Sequence, residues 1–159
     1  MTDIVESFVA TDYAKVGAAV SLTTHHPELT DEHVRRALVS VLDEDRDYAS
    51  IAARVAVIAA REVRQEVQRR ATERRIAGAP IEPEPTAGYP RVDELLQSAI
   101  ESLPERQRQI ALLYFYLGAG IAEIADATHL NESTVVAHVD ASRRSIVDHI
   151  VGDGPGVGS

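Results

Sequence analysis

Six arginines, Arg61, Arg64, Arg69, Arg70, Arg74 and Arg75, crowd into fifteen positions of this 159-residue chain. Guanidinium groups match phosphate oxygens, so the chemistry they offer is binding to a nucleic-acid backbone. The same run also suits a solvated helix end, where bases complement the dipole of a C-terminus. His25-His26 offers imidazoles, but no third ligand stands at a useful spacing and Pro27 follows at once, which favours a loop over a metal site. The carboxylates of Asp43, Glu44, Asp45 and Asp47 lack the spacing and the Gly of a calcium loop and read as a solvated turn. Tyr114, Phe115 and Tyr116 could stack on bases, yet at helical spacing at least one ring must face a core. No nucleophile–base pair, phosphate-cradling loop or Gly-rich fingerprint occurs, so an enzymatic reading has no residue to rest on. No cofactor and no metal is expected.

The elements that carry these residues read as helices throughout, so the expected class is all-α. Apolar residues make up 45% of the chain and aromatics 4%, an ordinary mixture for a folded protein. There is no Cys, which excludes a disulfide scaffold and a thiolate metal site. Apolar runs are too short for a membrane span, and no basic start followed by an apolar stretch marks a signal peptide; a cytoplasmic location is expected. The net charge is −9, which argues at first against nucleic acid. The charge is unevenly placed, however: residues 51–80 hold seven Arg against three Glu, inside an acidic remainder. Residues 77–91, AGAPIEPEPTAGYPR, cannot continue a helix and read as a semi-extended linker able to span roughly 45 Å. Two small helical domains are therefore expected, at 1–76 and 92–151, with a frayed tail at 152–159.

In the first domain Val5, Phe8, Val9, Tyr13, Val16 and Val20 recur at helical spacing. His25-His26-Pro27 ends that helix. Thr30 is placed to cap the next, whose stripe is Val34, Leu38, Val41 and Leu42. A long helix is expected from about Tyr48 to Ile76, with Ile51, Val55, Ile58, Val63 and Val67 buried. In the second domain Ser102 and Glu105 have capping-box spacing around Pro104, and the helix that follows should stop at Gly118. Next come a short helix with Ile121, Ile124 and Ala125 inward, a turn at T-H-L, and a helix capped by Asn131 and stapled by Leu130 and Val135. A short helix, a turn of about three residues and a capped helix with a half-polar outer face have the spacing of a helix-turn-helix.

The series L-P-E-R-Q-R at 103–108, L-L-Y at 112–114, Gly118, E-I-A at 123–125 and S-T-V at 133–135 resembles region four of bacterial RNA polymerase sigma factors, of the short extracytoplasmic-function type. Residues 30–42 and 51–75 are similar in layout to region two. The resemblance covers roughly residues 3–150. It implies docking on core RNA polymerase through Glu32, Val34, Arg35, Arg36, Leu38 and Val39. It also implies backbone binding of promoter DNA by the Arg61–Arg75 cluster, and reading of the −35 element by Ser133, Thr134, Val136, Ala137, His138, Arg143 and Arg144. An anti-sigma factor is a further implied partner.

The departures from the family pattern are chemical. Val136 stands where the family commonly has Lys and His138 where it has Arg, while Asp140 lies on the outer face. Each lost base removes a salt-dependence slope of about 0.9. Val136 and Ala137 can touch a thymine methyl but cannot hydrogen-bond a base edge. Arg35 and Arg36 replace an amide and a carboxylate. Tyr48 alone among residues 48–76 is an aromatic able to hold an unstacked base. These changes leave open a sigma-like interaction protein that binds polymerase or a partner without opening DNA.

Overall fold

The computed structural model describes residues 2–44, 48–78 and 94–153. Among these residues the chain is helical, with no strand. Most of the linker expected at 77–91, part of the acidic turn at 43–47 and the tail beyond 153 lie outside the described residues.

The first half starts as one continuous helical run. Helix α1 (Thr2–Ser7) passes through a π-helical turn (Phe8–Asp12) into α2 (Tyr13–Thr24). Gly17, Ala18 and Ala19 keep the middle of α2 slim, and its residues 16–21 are all buried. His25 closes α2 in the left-handed conformation (φ +62°), its N–H bonded to Ser21 O. Helix α3 (Pro27–Asp43) begins earlier than the sequence suggested. Pro27 fits a first turn because its missing N–H has no helical partner there. Thr30 is therefore inside the helix rather than at its cap. It is fully buried, and its hydroxyl donates to His26 O (3.0 Å) and meets Ser21 Oγ (3.0 Å).

Helix α4 (Ile51–Ala77) starts at Ser50, whose Oγ accepts from Ala53 N (3.1 Å), and ends at Gly78 with φ +70°. The sequence pattern gave this helix one buried side. In the structure every residue from 53 to 60 is buried. Small residues explain this: the segment A-R-V-A-V-I-A-A admits α2 and α3 on one side and the second half of the chain on the other. Beyond Val63, which is still fully buried, the helix emerges into solvent.

The second half is α5 (Glu94–Glu101), α6 (Glu105–Ala111), a second π-helical turn (Leu112–Tyr116), α7 (Ile121–Thr128) and α8 (Glu132–Asp153). In that π turn Leu117 N–H donates to Leu112 O (2.9 Å), five residues back. Gly118 ends the run at φ +78°. The capping box expected of Ser102 does not form. Pro104 takes the N-cap position, Ser102 Oγ donates to Ala99 O (2.6 Å), and Glu105 reaches the other half to pair with Arg64 (2.8 Å).

The two halves share one core. Phe8, Val16, Val34, Val55 and Val63 from the first belong to the same buried cluster as Ile110, Leu113, Ile124, Val135 and Val139 from the second. A smaller cluster joins Ala19 to Ile100 and Leu112. Arg108 is buried at this join. Burial pushes its pKa below the usual arginine value; nearby Glu105 and Glu101 oppose that shift, and Arg64 adds to it.

Candidate nucleic-acid interface

Helices α7 and α8 are joined by a three-residue turn, His129–Leu130–Asn131, at the spacing of a helix-turn-helix. His129 makes the turn possible by taking the left-handed conformation (φ +60°). Asn131 then anchors α8: its Oδ1 accepts from Thr134 N (2.9 Å), Thr134 Oγ1 (2.6 Å) and Ser133 Oγ (2.9 Å). Removing this cap with Asn131→Ala is expected to lower stability by about 1 kcal/mol, measured as a drop in the urea midpoint.

Val135, Val139 and Ser142 turn inward, Ser142 Oγ bonding Gln107 O (3.3 Å). The opposite face carries Ser133, Val136, Ala137, Asp140, Arg143 and Arg144, all exposed. His138 and Thr134 are half-buried, and Thr134 is committed to the cap. Arg143 lies over the Phe115 ring (5.6 Å) and 3.5 Å from Asp140. Phe115 points outward beside an apolar groove of about 260 Å³ that includes Leu96, Ile100 and Ile146. The neighbouring ring of Tyr114 packs on the core, and Tyr116 on the smaller cluster. Before any base is touched, then, the outward face of α8 holds two arginines, one of them already facing a carboxylate.

The arginine-rich half of α4 is electrically more balanced than its count suggests. Glu66 lies between Arg69 (2.6 Å) and Arg70 (2.9 Å), and Glu73 takes the other side of Arg69 (2.6 Å). The hydrogen bonds from Arg69 and then Arg70 hold the Glu66 carboxyl down to about 2, and the same contact raises Arg69 above its ordinary value. Arg64 is engaged by Glu105. Arg61 and Arg75 are exposed with no ion pair among the described residues. Since the pKa of Glu66 lies below its ordinary 4.5, whatever stability it adds is present above that value. It is lost as pH falls toward about 2. At neutral pH, Glu66→Gln is expected to release Arg70, to leave Arg69 held by Glu73 alone, and to move elution from a heparin column to higher salt; an unchanged elution position would mean that these arginines do not reach a polyanion.

On α3, Glu32, Arg35, Arg36 and Val39 face outward, with i,i+4 pairs Asp31–Arg35 (2.8 Å) and Glu32–Arg36 (2.6 Å). Val34 and Leu38 do not share that surface: at 1% and 8% exposure they form the α3–α4 core. The reason is periodic, because 34 and 38 lie on the stripe with Ala37 and Val41, whose centre is about 110° around the helix from Arg35 and about 150° from Val39. His26 pairs with Glu28 (2.8 Å) and buried His33 with Glu62 (3.5 Å). No group of three metal-ligating side chains forms among the described residues. No helix among them is long and apolar enough to cross a membrane.

What the sequence could not signal is Arg54. It is buried, lies under no amphipathic pattern, and sits over the ring of Tyr48 (5.1 Å). Its Nη1 donates to Ala127 O (2.8 Å), in the last turn of α7.

No match was found among curated proteins or among solved structures. The sequence of α5 to α8 does match a family model: residues 93–146, about a third of the chain, match Sigma-70, region 4.

Proposed function

We propose that this protein is a sigma factor of the extracytoplasmic-function type that brings core RNA polymerase to specific promoters. The single observation that carries this reading is the Sigma-70 region 4 match over α5 to α8, whose last helix presents a capped, outward polar face. On this reading residues 92–151 are the region-four-like domain, reading the −35 element with Ser133, Val136, Ala137, His138, Arg143 and Arg144. Residues 1–76 are the region-two-like domain, joined by the linker at 77–91. Its outward α3 residues Glu32, Arg35, Arg36 and Val39 meet polymerase, and Arg61, Arg69, Arg70, Arg74 and Arg75 track the promoter backbone. Arg64, paired with Glu105, joins them once the halves separate. The site of action is the cytoplasm, and an anti-sigma factor is a fitting regulator. The chain performs no catalysis of its own.

The test is reconstitution. Purified protein with core polymerase from its host is expected to give run-off transcripts from a subset of host promoters, with permanganate-reactive thymines near the start site. Absence of both polymerase binding and transcripts overturns the reading.

A second reading is favoured by the charge balance just described. With Val136 and Asp140 on α8, and Glu66 and Glu73 occupying arginines on α4, the chain is short of free cations for DNA. A sigma-like interaction protein would bind polymerase or a partner and leave promoter DNA unmelted. Co-purification with polymerase but no permanganate reactivity selects it.

A further inference from the structure

The outward face of α8 is short of side-chain hydrogen-bond donors where donors would read guanine. From the first residue of the helix through Asp140 that face is Glu132, Ser133, Val136, Ala137 and Asp140, all exposed, Val136 at 42%. Glu132 and Asp140 carry carboxylates, which when ionised only accept. Val136 and Ala137 offer methyl groups. Ser133 has one hydroxyl hydrogen, and Asn131 Oδ1 takes it (2.9 Å). The Thr134 hydroxyl donates to the same oxygen (2.6 Å). So does the Thr134 N–H (2.9 Å), which fixes that end of the Asn131 amide as the acceptor. Asn131 is thereby denied the two-point contact to adenine, which needs its oxygen.

The donors of α8 stand elsewhere. His138 is half-buried, and as the residue after Ala137 it is turned about 100° around the axis. Arg143 comes ten residues after Ser133, about 15 Å along the axis. A recognition helix meets base edges with its N-terminal residues, in a groove about 12 Å wide. Arg143 and Arg144 therefore arrive at the sugar-phosphate edge. Arg143 also lies 3.5 Å from Asp140, where its charge offsets the repulsion between that carboxylate and the phosphates.

In the major groove guanine shows only acceptors, cytosine shows an amino donor, and thymine shows a methyl group beside its one acceptor. We propose that α8 reads its promoter element without touching guanine: Val136 and Ala137 select thymines by their methyl groups, and Asp140 takes the amino group of a neighbouring cytosine. Ser133, left with lone pairs alone, favours an amino group in the same way. The inference rests on the sigma-factor reading for the identity of the DNA and deepens it by naming the bases.

The test uses the full-length chain with core polymerase and promoter duplexes randomised only over the −35 segment. Retained duplexes are sequenced, and the selected site is resynthesised with altered bases. Exchanging a selected thymine for uracil removes one methyl group and is expected to lower retention about fourfold at each of two positions. Exchanging each selected guanine for 7-deazaguanine, which lacks the N7 acceptor, is expected to leave retention unchanged. Retention indifferent to uracil, or lowered about fivefold or more by 7-deazaguanine, overturns the inference. Val136→Lys, an exposed change that spares the core, supplies a donor. It is expected to replace one selected thymine by a guanine that is sensitive to the deaza exchange. An unchanged selection removes Val136 from the readout and also overturns the inference. The chain without polymerase goes through the same selection at low salt. If it binds no polymerase yet selects uracil-sensitive sites, the sigma-factor reading fails and the base assignment stands. If polymerase is bound and promoters are retained without the uracil effect, the reverse holds. Selection of no sequence by either preparation overturns the base assignment, whatever the binding to polymerase.

Discussion

Ile124→Ala is expected to lower the thermal midpoint of the entire chain, not of its second half alone. Ile124 is fully buried in the cluster that also holds Phe8, Val16 and Val63 from the first half. Truncating a buried Ile to Ala removes its transfer free energy and leaves a cavity that close-packed neighbours fill only in part. The cost is about 2–5 kcal/mol, and helix α7, gripped by α4 and α8 together, has little room to collapse. For a chain of this size each kcal/mol moves the midpoint by about 2–4 °C, so a loss of roughly 7–14 °C is expected near the middle of that range. Because the apolar cluster is continuous, calorimetry should record one transition before and after the change. Two transitions, only one of which moves, would contradict the shared core.

Arg108→Ala carries the second large effect. The guanidinium serves carbonyls on both sides of the join: Thr23 O (2.8 Å), Leu103 O (3.3 Å) and, at the limit of reach, Glu101 O (3.4 Å). Hydrogen bonds from a charged donor contribute about 1.5–3 kcal/mol, and the truncation also strips the buried stem of its packing. A total loss of about 2–4 kcal/mol is expected, read from the urea midpoint. Arg108→Lys should recover little of it, since an ammonium is a single point and cannot fork between α2 and the start of α6. Full recovery by Lys would mean that charge alone, and not the fork, holds the site. His25 gives a related pH response. Burial first, and then the Arg108 charge, lower its pKa, so the fold favours the neutral ring. That contribution is present above the ordinary value of 6.5 and is lost as pH falls below it.

The all-helical class was legible because the apolar spacings of α3 and α8 are plain, and so were the punctuating residues: His25 before Pro27, Gly118, and Asn131 with its staple. The errors sit at helix starts. Thr30 and Ser102 both have the chemistry of a cap, but a proline within three residues moved each start: Pro27 into the first turn of α3, Pro104 onto the cap of α6. The hydroxyls then turned to nearby carbonyls instead. Of the outward residues, those on α8 could be read from the same periodicity that buries Val135 and Val139. On α3 the period also separates Val34 and Leu38 from Arg35, and grouping them as one surface ignored it. The two arginines that bond across the halves were not legible at all. Arg54 and Ala127 are 73 positions apart, Arg108 and Thr23 are 85 apart, and arginine is a residue expected in solvent. Nor does a count of arginines reveal that Glu66 already engages two of them.

The π-helical turn at Leu112–Tyr116 has a consequence for how this chain can vary. A π turn is an α-helix carrying one residue too many, its bonds reaching five residues back instead of four. Losing one residue from this stretch would let Leu112–Tyr116 relax to ordinary α-helix before Gly118, where the chain already changes direction. Azimuth would hardly change: five residues of π-helix and four of α-helix both turn the chain by about 400°, so side chains beyond the deletion would keep their facing. The turn is thus a place where this chain can lose a single residue without re-aiming the side chains that follow it or disturbing α7 and α8.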